Sequence, residues 1–317
     1  MRNRVRKTIL PAIWTVGIIV TFAWAAPRAH GRLGIYVQPD RNSYVLYEKI
    51  RLTLTIANYT GNKIDFGDSP VTANHLTFGV SRDEGRSFER IPRRDLIRGL
   101  ELKPGEKRQL EVVINNMYNF QRGGEFLINV QVGHRRLRTD YRSESITIRI
   151  RDGIKLWTRE IGVPVDNEDG PIPIRKIKLM QVQEGETELY CLRIEDDENV
   201  YAVLRLGEVI RGAEPQCKVD AVSNIHILLR LKSRLYIHRV YDYRGRQLQT
   251  SYYMMSQTKP ELYRDSDDGT ISVIGGRPAI LGEDYVLDPK GASPAGELPG
   301  ALRRRPVDPE RLKQKLP

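Results

Sequence analysis

Between Leu33 and Arg151 the apolar residues recur at every second position. Ile50, Leu52, Leu54 and Ile56 share one face, as do Leu110, Val112 and Ile114; Phe126, Ile128, Val130 and Val132; and Ile146, Ile148 and Ile150. The positions between them are largely Arg, Thr, Glu, Asn and Gln, the pattern of antiparallel strands with one dry and one wet face. Shorter candidates at 33–38, 75–81 and 86–91 bring the first half to seven or so strands, enough for a sandwich of two sheets. From Ile154 to Gly276 the pattern is less regular, with strands predicted at 175–182, 188–195, 200–206, 216–222, 225–231, 234–242, 247–254 and 269–275. Turn residues separate them: Asp196-Asp-Glu-Asn199, Lys232-Ser233, Tyr243-Arg-Gly245 and Asp267-Asp-Gly269. A meander follows, folded as a second sandwich, an open barrel or two blade-like sheets, and too short for a complete propeller. No capped amphipathic helix interrupts this all-β reading.

The ends of the chain break the alternation. Arg2, Arg4, Arg6 and Lys7 stand before the apolar run Ile9 to Ala26, and small residues follow at Ala23, Ala25 and Ala26 or at Ala29 and Gly31. This is the layout of an export signal, cleaved or kept as an N-terminal anchor, and it predicts an extracytoplasmic protein, periplasmic or secreted, that meets a membrane only through this segment. After Asp288 six prolines, three glycines and Arg303-Arg-Arg305 predict a flexible basic tail. The expected organisation is a signal or anchor at 1–31, an all-β domain at 32–151, a second β-rich domain at 152–288 and a tail at 289–317.

Charge changes the picture once it is divided. The total of +11 falls to +2 over residues 32–288, so the high isoelectric point is no argument for nucleic acid as a partner. Residues 32–151 hold 21 basic and 14 acidic side chains, and 152–288 hold 18 and 23. Opposite signs favour docking of the two halves, or alternatively attraction of the first half to an anionic polymer or an acidic envelope protein. Only Cys191 and Cys217 occur, which excludes a disulfide framework and a cysteine zinc site and leaves one possible disulfide.

Three stretches carry a resemblance: Tyr44-Val-Leu-Tyr-Glu48 running on to Asn58, Leu102-Lys-Pro-Gly-Glu106, and Tyr118-Asn-Phe-Gln-Arg-Gly-Gly-Glu-Phe126. Residues 33–151 resemble the extracytoplasmic bacterial immunoglobulin-like domains of envelope proteins, macroglobulin-like modules and a class of bacterial proteinase inhibitors. Those domains often carry glycine before the glutamate, where this chain has Tyr47. The resemblance implies an immunoglobulin-like sandwich and specifies no activity. Within it, Ser81-Arg-Asp83-Glu-Gly85-Arg-Ser87-Phe88 matches the Asp-box pattern, whose chemistry is a hairpin clamp: Asp83 on turn amides, Gly85 at positive φ, Phe88 folded inward.

No catalytic constellation emerges from the pattern. His226 and His238 fall on neighbouring strands and are expected as a partly exposed cross-strand pair rather than a metal site. Asp265-Ser-Asp-Asp-Gly269 reads as a β-turn rather than a calcium loop, and no cofactor motif is present. The binding candidates are arginines, Arg90, Arg93, Arg94 and Arg98 in one loop region and Arg135, Arg136, Arg138 and Arg142 in another, able to grip carboxylates or phosphates. A tyrosine-rich set, including Tyr236, Tyr241, Tyr243, Tyr252, Tyr253 and Tyr263, is a candidate sugar- or protein-binding face. The expected role is non-catalytic binding or assembly at the cell envelope. The alternatives are glycan binding or hydrolysis, and proteinase inhibition through an exposed loop at Ile91 to Leu102.

Overall fold

The computed structural model describes residues 32–82, 89–137, 139–164, 172–286 and 302–303. In chain order its first eleven strands are β1 (Arg32–Pro39), β2 (Ser43–Val45), β3 (Arg51–Tyr59), β4 (Ile64–Asp65), β5 (Asn74–Arg82), β6 (Glu89–Pro92), β7 (Glu101–Leu102), β8 (Lys107–Val113), β9 (Gly124–His134), β10 (Tyr141–Arg142) and β11 (Ile146–Arg151). One sheet has the order β1-β3-β8; the other runs β2-β11-β9-β5-β6, with β10 added to β9. All these pairings are antiparallel except β2 with β11, which is parallel. The alternating apolar positions of the sequence meet between the sheets, where Ile35, Leu54, Phe78, Ile128, Val130 and Ile148 are buried. Each such aliphatic side chain removed from water contributes about 1.5–3 kcal/mol before conformational entropy is subtracted.

Of the three sequence stretches that carried the resemblance, the first two lock one another and the third forms a ring cluster of its own. Asn58 is fully buried, donates to the carbonyls of Asn62 and Leu102 at 2.7 and 2.9 Å, and accepts from the Thr60 amide and hydroxyl. Its own amide donates to the Glu106 carbonyl, so Leu102 to Glu106 forms a turn around it. Tyr118, Phe120 and Phe126 make a ring cluster with centroid separations of 4.7 to 6.4 Å.

The remaining strands are β12 (Ile154–Gly162), β13 (Ile174–Glu184), β14 (Thr187–Glu195), β15 (Asn199–Glu208), β16 (Gln216–Val219), β17 (Ile225–Arg230), β18 (Leu235–Tyr241), β19 (Gln247–Met254), β20 (Glu261–Arg264), β21 (Ile271–Ile274), β22 (Arg277–Pro278) and β23 (Leu302–Arg303). They form two successive meanders, β12-β13-β14-β15 and β16-β17-β18-β19, extended by β23 and β22 respectively. The sheets stack on a second core that includes Ile177, Leu192, Ile194, Ile225, Ile227 and Ile237. Of the three foldings open to a meander, the chain takes that of packed open sheets; none closes into a barrel. Among the described residues there is no α-helix, and no helix is long and apolar enough to cross a membrane. The segment 1–31, expected to be an export signal or anchor, and most of the tail lie outside the described residues, although Leu302–Arg303 pairs with the Asn199–Val200 end of β15.

The predicted turns work through their aspartates. Asp196, Asp242 and Asp268 each accept hydrogen bonds from amides two to four residues on and so close the hairpins β14/β15, β18/β19 and β20/β21. The β20/β21 hairpin covers the outer face of β16 and β17, with Leu262 buried and its amide donating to Gln216 Oε1 at 2.7 Å.

Candidate binding site at the junction of the two sandwiches

Strand β2 runs directly into the contact between the two halves. Val45 turns away from the first core and is buried with Met180, Val182, Leu189 and Cys191, the outward face of β13 and β14. Three residues later Glu48 is held by the Val45 amide at 2.8 Å and receives both arms of Arg205 from β15, at 2.7 and 3.1 Å. Arg205 also donates to Glu184 at 2.7 Å and to the Ser43 carbonyl at 2.9 Å, contacts that outweigh its burial and raise its proton affinity further. The halves therefore dock through an acid of the net-positive half and a base of the net-negative half, opposite to the sense that their totals predict.

Between these two anchors lies Tyr47, with φ of 70°. An L-residue with a side chain is strained there by about 1–2 kcal/mol, because Cβ crowds the backbone. A φ of this sign is one that glycine adopts freely. The Tyr47 ring lies 5.8 Å from the Arg193 guanidinium and forms one wall of a cavity of roughly 210 Å³. The opposite wall is the turn Asn115, Asn116, Met117, Tyr118, Asn119 and Phe120. That turn is bolted in place by Asn115, which accepts from the Ile50 amide at 2.7 Å and donates to the Glu48 carbonyl at 3.1 Å. Burial raises the Tyr118 hydroxyl above its ordinary pKa, so it stays a neutral hydrogen-bonding group. Aromatic rings and side-chain amides on rigid backbone can stack on a small ring and hydrogen-bond its periphery.

Behind Tyr47 sits a charge cluster. Glu195 at the end of β14 has no exposed surface and is contacted by Lys178 and, at 3.0 Å, by Arg193 Nε; Arg193 also pairs with Asp152 at 3.1 Å.

The arginine candidates occupy one end of the first sandwich. The Arg93 amide donates to the Leu76 carbonyl and the Arg135 amide to the Ala73 carbonyl, so the start of β5 lies between the two loops. Arg93 is paired with Asp95 and Arg98 with Asp68, which leaves Arg90, Arg94, Arg135 and Arg136 as exposed positive charge there. Arg142 donates to Gln131, and Arg138 lies outside the described residues. The stretch from Ile91 to Leu102, expected as an exposed loop, is folded back: Ile97 is fully buried and the Gly99 amide bonds to the Phe66 carbonyl. Of the Asp-box, Ser81 is buried in β5, whereas Asp83, Gly85 and Phe88 lie outside the described residues.

The histidines pair as expected but are buried rather than partly exposed. His226 Nδ1 and His238 Nε2 are 3.1 Å apart with the rings stacked, and His226 Nε2 is 3.3 Å from Asp220 Oδ2. The strand register sets the pair diagonally, His226 opposite Val240 and His238 opposite Leu228, on the face that the β20/β21 hairpin covers. The disulfide candidate is not formed: Cys191 on β14 faces the Val45 cluster and Cys217 on β16 the inter-sheet core, so the two thiols lie in different interiors. Burial pushes the Cys191 thiol up to about 12 and raises that of Cys217 as well. Several tyrosines serve packing: Tyr201 and Tyr243 flank Arg175, Tyr252 stacks on Tyr285 at 4.1 Å, and Tyr241 is in the core.

Sequence reasoning did not assemble the Tyr47 cavity. Its signal was the departure from glycine at that position, visible in the chain but without meaning until the backbone angle is known.

No family profile matches the chain, and no curated protein sequence matches it. Among solved structures it is similar to the sporulation control protein Spo0M from Bacillus subtilis, at 10% identity over 56% of this chain and 91% of that one, with a TM-score of 0.24. The likeness is one of all-β architecture alone.

Proposed function

We propose that this is an exported, non-catalytic binding protein of the cell envelope, whose first sandwich is immunoglobulin-like and whose recognition site is the cavity at Tyr47. The observation that carries this reading is the strained backbone of Tyr47. Strain in an aromatic residue persists where its side chain serves a purpose, and here that side chain walls a cavity of the first sandwich, beside its contact with the second. Three amides and three aromatic rings in a space of roughly 210 Å³ suit a single neutral ring rich in hydroxyl or amide groups, such as one sugar unit of an envelope glycan. A binding rather than chemical role is also supported by the engagement of the ionisable groups elsewhere: the histidine pair under a hairpin, the thiols in two cores, Arg205 and Arg193 in ion clusters. The reading of residues 1–31 as an export signal supports such a site, since an exported protein meets envelope glycans.

The test is titration of the purified protein with neutral and N-acetylated oligosaccharides, followed by heteronuclear NMR. Shifts confined to residues 47 and 115–120 that vanish in Tyr47→Ala are the expected result. Shifts spread over the arginine end of the first sandwich, or none at millimolar sugar, would overturn the assignment.

A further inference from the structure

The outer edge of β12 has no strand partner among the described residues, since the sheet begins there. Exposed edges are commonly protected by bulges and charges, and β12 has both: a bulge at Leu156 and the charges Lys155, Arg159 and Glu160. Its apolar content is nevertheless high for an edge, with Ile154 73% and Leu156 43% exposed. Whether charges forbid pairing depends on what they face, and the register on β13 fixes that.

Setting the bulged Leu156 aside, the residues opposite Gln181, Met180, Leu179, Lys178, Ile177, Lys176 and Arg175 are Ile154, Lys155, Trp157, Thr158, Arg159, Glu160 and Ile161. Lys155, Thr158 and Glu160 share the face of Met180 and Lys178; Ile154, Trp157, Arg159 and Ile161 share the core-side face. An antiparallel partner must set like faces opposite each other, so a second copy of the same strand pairs about a two-fold axis through one of these positions. With the axis at Thr158, Lys155 meets Glu160 of the second copy twice over, Trp157 meets Arg159 twice, and Ile154 meets Ile161 twice. These are an ion pair, a cation over an indole and an aliphatic pair, each a favourable cross-strand combination. An axis at Arg159 stacks two arginines, and one at Trp157 sets Lys155 against threonine, so both lose the ion pairs. Only one register is satisfied throughout, and it is the self-complementary one.

We propose that β12 is a homodimerisation edge through which two copies join their β12-β15 sheets into one continuous sheet, centred on Thr158. The bulge and the charges then act as a selector, admitting this strand's own copy and refusing strands that bring like charges to Lys155 or Glu160. The proposal is independent of the Tyr47 cavity.

Sedimentation velocity of the purified protein over a concentration series, with charge variants, tests it. The wild type is expected to dimerise at micromolar concentration. Glu160→Lys and Lys155→Glu should each weaken the dimer by about tenfold or more, while the double exchange Lys155→Glu/Glu160→Lys restores it to near wild-type strength. Thr158→Cys, which lies on the axis, should form a covalent dimer under mild oxidation that survives dilution. A wild type that stays monomeric at tens of micromolar overturns the proposal. So does a dimer indifferent to both single charge changes, or one whose Thr158→Cys variant does not crosslink, since either result moves the interface elsewhere.

Discussion

At Tyr47 a residue is asked for two incompatible things: a backbone angle that favours glycine and a ring that walls a cavity. The two demands separate in a pair of substitutions. Tyr47→Ala and Tyr47→Gly both remove the ring, so they differ only in how well each tolerates the left-handed backbone. Glycine ordinarily costs stability relative to alanine, but at this position we expect Tyr47→Gly to be the more stable of the two by about 1 kcal/mol in urea unfolding. Both should lose the sugar-dependent shifts. Glu195 shows the other kind of demanding residue. Enclosed between Lys178 and Arg193, it compensates two cations at once, and nothing in the sequence marks it out from the exposed glutamates. Burial of a charge is decided by what covers it, here strands distant in the chain, and period-two patterns do not report that.

Among the elements, those written in long alternation were legible: β1, β3, β5, β9 and β11 lie where the pattern placed them, because one face of each is dry and the other wet. Strand β12 was not read from the sequence, because the bulge at Leu156 shifts the phase of the alternation midway and most of its residues are exposed. β2 is three residues long and its partner is parallel and distant, so no local signal existed. The hairpin β20/β21 was half-read, as a strand near 269–275, and its role as a cover was invisible. The burial of the histidine pair on the same face has a measurable consequence. Burial, and then the neighbouring His226, lower the pKa of His238 from 6.5 to about 4. Between those values the unfolded chain binds the proton and the native one does not, so the contribution of His238 to stability is intact above pH 6.5 and is lost as the pH falls towards 4. The loss is on the order of 3 kcal/mol at the lower end. Groups facing the pair include Asp220, Lys218 on β16 and Ser251 on β19, so the clean readout is a difference. Urea unfolding from pH 7 to pH 4.5 should fall more steeply for the wild type than for His238→Gln; equal slopes would show that the histidine titrates as it does in the unfolded chain.

For the whole molecule, the junction decides whether two cores behave as one. Arg205 joins Glu48 of the first sandwich to Glu184 of the second, and Val45 seals the apolar part of the same contact. Removing the arginine leaves two carboxylates facing each other in a partly dry space, at a cost of about 3 kcal/mol. We expect Arg205→Ala to split a single calorimetric transition into two, the lower one carrying the second sandwich; one unsplit transition at the wild-type temperature would show that the apolar contact alone couples them. The parallel pairing of β2 with β11 adds a property of another kind. The chain enters the first sandwich ahead of β2 and leaves it after β11, and two parallel strands pulled from those opposite ends are loaded in shear, so their hydrogen bonds share the force instead of opening one after another. If the protein is tethered at its N-terminus and pulled through its second sandwich, the three residues of β2 and the Glu48 to Arg205 contact beside them act as a mechanical clamp on the line of tension.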